Sequence, residues 1–412
     1  MTMPVFQPTP DVDIGFDVAV PSFASVEEAI AIRGDDRPLH CLFPRRLGTA
    51  VETFRRGFPG TVMYAVKCNP TPAVLALLAR AGIRDFDVAS IAEIDTVRRV
   101  VPGARLYFMH PVKSRAAIRH ACLAGIRDFA LDSEAELQKI EEETGARDLR
   151  LYVRIALPKG DCALDLSAKF GARGAEAIAL LRRVRARAAQ LAVSFHVGSQ
   201  CMKPRNYARG IAAVRALVEA AGVRIDALDV GGGFPVAYPE MEPPPPDAYF
   251  AAIAEGLKEN GFGDTPVLCE PGRALVAAGG SVLARVELRK GDRLYLNDGT
   301  YGALFDAGAI AWRYPVRLVR ARGASEAPLR PFAFFGPTCD SMDAMPGPFH
   351  LPDDVEEGDW IEIGQLGAYG FAMRSRFNGF WSDETVAIEP READAIEGAP
   401  RPRRLAATAV AK

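Results

Sequence analysis

Apolar and polar positions follow a repeating pattern along most of the chain. From about residue 61, short runs rich in Val, Leu, Tyr and Phe alternate with longer Ala-, Leu- and Arg-rich segments whose apolar residues have helical spacing. This repetition of strand and helix is typical of an α/β protein with a parallel sheet. The predicted strands are TVMYAVK (61–67), DFDVAS (85–90), RLYFMHP (105–111), DFALDS (128–133), LRLYVRIAL (149–157), LAVSFHVGS (191–199), IDALDVGGG (225–233) and PVLCEPGR (266–273).

The number and order of these strands favour a (β/α)8 TIM-like barrel over an open doubly wound sheet, which rarely needs so many consecutive βα units. After residue 280 the segment SVLARVELRKGDRLYLNDGTYG alternates with a period of two, which predicts a β-rich second domain. We expect the barrel at residues 38–278 and the β-domain at residues 1–37 and 279–388. Residues 389–412 are rich in Pro, Ala and Arg and are predicted to form a flexible tail.

Composition excludes several classes of partner. The net charge is −2, with 50 basic and 52 acidic residues, so no overall field attracts nucleic acid or an anionic membrane. Seven cysteines without CxxC spacing argue against a disulfide framework and against a metal site. The N-terminal sequence lacks the features of an export signal, and no run approaches the ~18 apolar residues of a membrane span. These features predict a cytoplasmic protein.

Lys67 interrupts the apolar end of the first predicted strand. Residues 62–66 are typical of a buried strand, and Asn69 and Pro70 end the run. One interpretation is a lysine that reaches solvent from a strand end. The other is an amine held in an apolar pocket, where its pKa falls and it becomes a nucleophile toward a carbonyl group.

Nearly every predicted strand carries a polar residue or a glycine cluster at its carboxyl end. Barrel enzymes place their chemistry at this end of the strands, so these residues are expected to meet at one site. The residues are Lys67, Asp87, His110, Arg154, His196, Ser199, Gly231, Gly232, Gly233, Glu270 and Arg273.

This set of residues suits a phosphorylated aldehyde cofactor. The DVGGGFP segment (229–235) presents backbone N–H groups that suit a phosphate, although a tight turn alone would also explain its glycines. Glu270 could pair with Arg273 or with a protonated ring nitrogen. A reactive lysine, a phosphate site and this carboxylate together indicate pyridoxal 5'-phosphate. His196 could stack on the ring or be a hydrogen-bonded structural histidine.

With these residues identified, the chain resembles the fold type III pyridoxal phosphate enzymes, and among them the eukaryotic-type ornithine/diaminopimelate decarboxylase family. The resemblance covers residues 30 to 385 approximately. That family has a barrel followed by a β-domain. The resemblance rests on motifs that occur here in the same order as in the family: YAVKCNP, FDVAS, KFGA (169–172), FHVGSQ, DVGGGFP, EPGR, FGPTCDSMD (335–343) and GAYGFAMRSRFNGF (367–380).

The resemblance implies a role for each matching residue. Lys67 would bond to the cofactor aldehyde, Glu270 would pair with the pyridine nitrogen and His196 would stack on the ring. Other residues would hold the phosphate or lie close to the cofactor. The phosphate contacts would be Ser199, Gly231, Gly232, Gly233, Arg273 and Tyr369, with Asp87 and Arg154 beside the cofactor.

The PTCDSMD segment bears on the type of reaction. In the family this loop reaches into the neighbouring subunit's site, which implies a homodimer with shared active sites. Cys339 would protonate the carbanion left after CO₂ departs, and Asp340 would face the distal ammonium of the substrate. A carboxylate at that place suits a diamino acid better than a substrate that ends in a carboxylate. An inert buried thiol is the alternative for Cys339 and the favoured interpretation for the other six cysteines.

Two positions depart from the family pattern. Animal ornithine decarboxylases carry a Tyr-Asp pair shortly after the DGxYG motif, whereas this chain has Asp306 nearer to Tyr301 and no matching pair. Asp306 and Tyr301 are therefore additional candidate substrate contacts. Gln200 stands where many relatives have glycine.

The resemblance implies decarboxylation of L-ornithine to putrescine, with L-lysine to cadaverine as a second reaction. Diaminopimelate decarboxylase is the nearest alternative, but it needs a cation for the distal carboxylate, against which Asp340 argues. An amino-acid racemase should lack a Cys-Asp loop of this kind. A catalytically silent homologue that binds a partner protein would not need Lys67, Glu270 and Cys339 together.

Overall fold

The structure is a computed structural model that describes residues 20–157, 162–164, 169–320 and 323–389. The first 19 residues of the predicted β-domain lie outside the described residues. The predicted tail lies outside them as well, except for Glu389.

Eight parallel strands form a closed barrel, which confirms the predicted fold. Each strand pairs with its neighbours in chain order, and the eighth strand pairs with the first through Leu268 opposite Thr61 and Cys269 opposite Val62. Each predicted strand corresponds to one barrel strand. In chain order the strands are Thr61–Ala65, Asp85–Val88, Arg105–Phe108, Asp128–Leu131, Arg150–Arg154, Gln190–Ser194, Ala227–Asp229 and Val267–Cys269.

The first strand ends earlier than predicted. Pairing with the second strand stops at Ala65, and Val66–Cys68 form a single 3-10 turn. The Asn69 side chain accepts a hydrogen bond of 3.1 Å from the Thr71 amide, a local turn that competes with further strand pairing. Lys67 therefore lies in a turn that follows the strand.

Helices connect the barrel strands and pack around them. Ser90, Ser114 and Ser133 begin three of these helices, and each hydroxyl accepts a hydrogen bond from the backbone N–H three residues later. No helix in the described ranges is long and apolar enough to cross a membrane. The barrel-side helices are Pro44–Gly57, Pro72–Ala81, Ile91–Val100, Arg115–Leu123, Glu134–Thr144, Gly174–Arg185, Arg205–Ala221, Pro246–Glu259 and Arg273–Val276.

Side chains fill the inside of the barrel, so it is a packed core and not a pore. Tyr107 donates a hydrogen bond of 2.8 Å to Asp85, and Tyr152 donates one of 3.1 Å to Asp128. Open space is therefore left at the carboxyl ends of the strands. The apolar interior residues are Met63, Tyr107, Met109, Ala130, Tyr152, Ala192, Ala227 and Leu268.

The second domain is built around a nine-stranded mixed sheet in the described residues. Leu39–Leu42 pairs antiparallel with Gly280–Lys290 and parallel with Thr385–Ile388. The sequence pattern predicted that the barrel begins at residue 38, which would include this strand. The strand belongs to the sheet instead, because all four of its residues are buried between these two partners. The sheet strands are Ser22–Phe23, Leu39–Leu42, Gly280–Lys290, Arg293–Leu296, Val316–Val319, Leu329–Phe335, Ala344–Pro352, Trp360–Ile363 and Thr385–Ile388, accompanied by the helices Val26–Ile32 and Phe305–Ala309.

Candidate active site

The carboxyl ends of the barrel strands surround a cavity of about 310 Å³. Most of the residues predicted to meet there do line it, together with residues of the KFGA segment. The predicted site residues that line the cavity are Lys67, Asp87, His110, Arg154, His196, Ser199, Gly232, Gly233, Glu270, Arg273 and Tyr369.

Lys67 projects from its 3-10 turn into this cavity. Its side chain is 49% exposed, whereas that of its partner Asp87 is 3% exposed, and Lys67 Nζ lies 3.3 Å from Asp87 Oδ2. The charge of Asp87, followed by that of Glu270, raises the pKa of Lys67. The expectation that an apolar pocket lowers the pKa of this amine is therefore wrong, because two carboxylates from other strands face it.

Glu270 and Asp229 form a buried pair of carboxyl groups. Burial raises the pKa of both groups, and each carboxyl group acts on the pKa of the other. Asp229 Oδ2 has no other hydrogen-bond partner among the described residues, so it can carry a proton toward Glu270. Asp229 is fully buried, and its Oδ1 accepts a hydrogen bond of 2.9 Å from the Gly231 amide. We assign the shared proton to Asp229, because Glu270 also faces the positive charge of Lys67. Asp229 then donates to Glu270, which stays available as an anion toward the cavity.

His196 is held as a neutral ring. Its Nδ1 accepts a hydrogen bond of 2.9 Å from the Gly198 amide, which leaves the proton on Nε2. Burial, together with the charges of Arg154 and Lys67, lowers the pKa of His196 to about 3. A neutral, fixed imidazole at the cavity wall can pack against the face of a bound ring.

The glycine turn can be built only without side chains. Gly231 and Gly233 have φ values of 71° and 94°. A Cβ atom at Gly231 would lie 2.1 Å from the Phe195 carbonyl oxygen, and one at Gly232 would lie 2.6 Å from that of Glu270. Gly232 and Gly233 line the cavity, and Gly231 lies behind them. The turn therefore presents backbone at close range, as an anion site requires.

Arg273 places a fixed cation beside the glycine turn. It is 5% exposed, donates a hydrogen bond of 2.8 Å to the Tyr238 hydroxyl and lies 5.0 Å from the centre of the Tyr369 ring. Its Nε has no partner among the described residues. Asp306 Oδ2 lies 3.9 Å from the guanidinium, so Asp306 faces Arg273 and does not line the cavity.

Phe170, which lines the cavity, and Asp229, which lies behind Glu270, received no individual role from the sequence. The Arg154 guanidinium is 5.5 Å and the Lys169 amine 5.0 Å from the centre of the Phe170 ring. Asp229 supports Glu270 from behind. An acidic residue at the end of an apolar strand, two residues before a glycine cluster, was the sequence signal for Asp229. Phe170 had no local signal beyond its place in the KFGA motif.

Cys339, Asp340 and Tyr301 do not reach the barrel cavity of their own chain. Cys339 and Asp340 line a separate cavity on the sheet domain, where the Tyr301 hydroxyl donates a hydrogen bond of 2.5 Å to Asp340 Oδ2. Cys339 is exposed, and both its amide and its thiol lie near Asn378 Oδ1, at 3.3 and 3.4 Å. The predicted residues thus fall into two groups on different domains.

The barrel cavity fits pyridoxal 5'-phosphate. It offers an amine for the aldehyde, a buried carboxylate for the ring nitrogen, and a glycine turn with an unsatisfied arginine Nε for the phosphate. A Cβ atom in the turn would collide with neighbouring backbone carbonyl oxygens, so the turn keeps this shape only with glycine.

The comparisons identify the family. Residues 44–277 match the pyridoxal binding domain of the pyridoxal-dependent decarboxylases, and residues 273–367 match their C-terminal sheet domain. Since the first match covers more than half of the 412 residues, the chain belongs to the pyridoxal-dependent decarboxylase family. Pyridoxal phosphate is the cofactor of this family, as predicted.

Two curated relatives illustrate the range of the family. A lysine/ornithine decarboxylase of Selenomonas ruminantium is 32% identical over 353 residues, which cover 81% of this chain and 85% of the relative. Antizyme inhibitor 2 of Xenopus laevis is 31% identical over 362 residues, which cover 80% of this chain and 76% of the relative. The chain is thus similar to decarboxylases of basic amino acids and also to a protein named as an inhibitor of another protein.

Solved structures share the whole fold. The lysine/ornithine decarboxylase of Vibrio vulnificus in complex with cadaverine superimposes with a TM-score of 0.75 at 30% identity, covering 89% of this chain and 100% of that chain. The diaminopimelate decarboxylase of Helicobacter pylori in complex with L-lysine gives a TM-score of 0.78 at 25% identity, with coverage of 89% and 95%. Overall shape therefore does not separate these two substrate classes.

Proposed function

We propose that this protein is a homodimeric decarboxylase that converts L-ornithine to putrescine and CO₂, with L-lysine to cadaverine as a slower second reaction. The observation that carries the substrate class is the charge of the cavity around Asp340. Its described lining contains the carboxylates of Glu287, Asp340 and Asp343 and contains no lysine or arginine. Such a surface attracts a second ammonium group and repels a second carboxylate.

This charge argues against diaminopimelate as the substrate. Decarboxylation of diaminopimelate requires a cation for the carboxylate at the far end of the molecule, and the described lining offers none. Names of ornithine and lysine/ornithine decarboxylases among the relatives support the same choice.

Three residues of the barrel cavity would hold the cofactor in the proposed reaction. Lys67 would bond to its aldehyde carbon, Glu270 would pair with its ring nitrogen, and His196 would pack against one face of its ring. When bound, pyridoxal 5'-phosphate supplies the electron-withdrawing ring that takes up the electron pair left on Cα as CO₂ departs. The Cys339 thiol then delivers its proton to Cα, and Asp340 orients the substrate by its distal ammonium.

The separation of the two residue groups supports the proposed dimer. Cys339 and Asp340 lie on the sheet domain and cannot act in the barrel cavity of the same chain as it is arranged here. A second copy of the chain would bring its Cys339 and Asp340 to this cavity.

Shared sites can be tested by mixing two inactive variants. Lys67→Ala and Cys339→Ala chains should each be inactive alone, whereas mixing them should restore about a quarter of full activity, because about half of the dimers are mixed and each mixed dimer has one intact site. Activity that stays at zero after verified subunit exchange would contradict shared sites.

The substrate is tested by product identification. Purified protein is incubated with L-ornithine, L-lysine, L-arginine and meso-diaminopimelate, and the amines are separated and identified. We expect putrescine to form fastest and cadaverine more slowly. CO₂ release from meso-diaminopimelate alone would overturn the proposal.

A catalytically silent regulator is the second candidate, since an antizyme inhibitor is among the relatives. The barrel cavity argues against it, because Lys67, Asp87 and Glu270 converge there in a way that a binding module does not need. A visible absorption band that borohydride abolishes, and that Lys67→Ala lacks, would support the enzyme. A colourless wild-type protein that stays colourless with added cofactor would favour the regulator.

We also propose a cytoplasmic location. Six cysteines whose side chains are described are free thiols, which suits a reducing compartment. Fractionation of cells that express the full chain, with immunodetection, tests this location.

A further inference from the structure

Gln200 ties together the two loops that form the cofactor's anion site. Its side chain is fully buried and bridges the backbone of Val236, on the far side of the glycine turn. Gln200 Nε2 donates a hydrogen bond of 2.5 Å to the Val236 carbonyl, and the Val236 amide donates one of 3.1 Å to Gln200 Oε1. One amide side chain thus satisfies both polar groups of a single backbone residue.

This bridge lies beside the groups that would contact a phosphate. Ser199 directly precedes Gln200 and lines the cavity, as do Gly232 and Gly233 a few residues before Val236. A backbone hydrogen bond of 2.9 Å from the Cys201 amide to the Gly233 carbonyl joins the same two loops. The serine hydroxyl and the glycine amides are therefore held at a fixed separation by contacts outside the cavity.

The backbone of Gln200 has a conformation that is strained for a residue with a side chain. Its φ is +56°, a region that favours glycine, and the residue is completely buried. Glycine would adopt this conformation more easily, but it would leave the Val236 N–H and C=O without these partners. Strain accepted at a buried position beside a cavity is typical of a residue that holds a functional site in place.

We propose that Gln200 is a positioning residue that fixes the phosphate-binding turn and so sets the affinity for the cofactor's phosphate group. The inference rests on the proposed roles of Ser199 and the glycine turn. It assigns to Gln200 no contact with the cofactor itself.

Comparing two ligands isolates the phosphate contribution. Full-length wild-type, Gln200→Gly and Gln200→Glu proteins are freed of cofactor by dialysis, and the dissociation constants of pyridoxal 5'-phosphate and of unphosphorylated pyridoxal are measured from the absorption band. We expect Gln200→Gly to weaken binding of the phosphorylated ligand by at least about tenfold, with pyridoxal affinity unchanged within about twofold. Gln200→Glu keeps the acceptor and loses the donor, and we expect an intermediate loss.

The matched control is Gln365→Gly. Gln365 is a second glutamine with a positive φ, of 59°, and it does not line the cavity. This variant should retain the wild-type preference for the phosphorylated ligand. Thermal unfolding of every variant checks folding, and because glycine suits a φ of +56°, Gln200→Gly is expected to fold.

The outcomes separate this inference from the proposed function. An equal loss for both ligands, or no loss for either, in folded Gln200→Gly and Gln200→Glu would overturn the positioning role. Wild-type protein that binds neither ligand would contradict the cofactor site itself.

Discussion

The hydroxyl group of Tyr301 donates a hydrogen bond of 2.5 Å to Oδ2 of Asp340. The Met342 amide donates a second bond, of 3.0 Å, to Oδ1, and these two bonds lower the pKa of Asp340. Two residues that the sequence identified separately as substrate contacts therefore form one unit, in which the Met342 amide and the Tyr301 hydroxyl orient the Asp340 carboxylate.

Removing the Tyr301 hydroxyl should weaken substrate binding more than catalysis. In Tyr301→Phe we expect the KM for L-ornithine to rise by about three- to tenfold with a small change in kcat, because one hydrogen bond to a charged group is lost. Tyr295→Phe, on the same cavity, is the control and should leave KM unchanged. Steady-state kinetics decide the matter, and an unaltered KM in Tyr301→Phe would count against Asp340 as the ammonium site.

Cys339 is expected to act on the substrate and not on the cofactor. Cys339→Ala should retain the wild-type absorption band but lose about a hundredfold or more in amine formation, since the proton donor for Cα is missing. Cys122→Ala, which alters a partly buried thiol elsewhere, serves as the control and should behave like wild type. Amine quantification together with the spectrum tests this role. Normal amine formation in Cys339→Ala would exclude the thiol as the proton donor.

Asp229 should influence the cofactor through Glu270. Asp229→Ala removes the O–H that donates to Glu270, and we expect a displaced absorption band and a kcat about ten- to a hundredfold lower. Asp229→Asn keeps an N–H donor toward Glu270, so its absorption band and its kcat should be close to those of the wild type. Spectra recorded across pH and kcat values measured in parallel provide the test. If Asp229→Ala matched wild type in both, the buried pair would have only a structural role.

Acid should destabilise the protein partly through His40. Its ring is buried, Nε2 lies 2.6 Å from an Arg374 nitrogen, and burial followed by the charge of Arg374 lowers the pKa of His40 to about 3. In the unfolded chain the His40 ring takes up a proton near pH 6.5, whereas in the folded chain it stays neutral until about pH 3. The free energy of unfolding is therefore highest above pH 6.5 and decreases as the pH falls from 6.5 toward 3.

The size of this effect can be measured. The linkage corresponds to about 1.4 kcal/mol of unfolding free energy per pH unit in that window. His40→Gln should flatten the pH dependence of the unfolding free energy by about this slope, whereas His120→Gln, on an exposed helix surface, should not. Denaturant unfolding between pH 4 and 7 is the measurement, and identical slopes in wild type and His40→Gln would refute the assignment.

Much of the fold and of the barrel site could be predicted from local sequence. The barrel strands are short runs with turn residues at their ends, so their number and order could be counted directly. Their polar ends converge because all strands of such a barrel point the same way. Lys67, Asp87 and Glu270 could therefore be grouped without knowing any distance.

Features that depend on contacts between distant segments could not be predicted in this way. The raised pKa of Lys67 arises from carboxylates on other strands. The bridge from Gln200 to Val236 joins residues 36 positions apart, and nothing in the local pattern specifies it. Leu39–Leu42 belongs to the sheet through partners more than two hundred residues later.

This last pairing links the order of synthesis to the order of folding. Leu39–Leu42 emerges from the ribosome before any barrel strand, yet one of its partner strands, Thr385–Ile388, is made after the whole barrel. Until then one edge of an early strand has open hydrogen-bonding groups, to which other chains could add. A chain cut short before residue 385 would keep a complete set of barrel strands and leave that edge exposed, so aggregation is the expected fate of such a fragment.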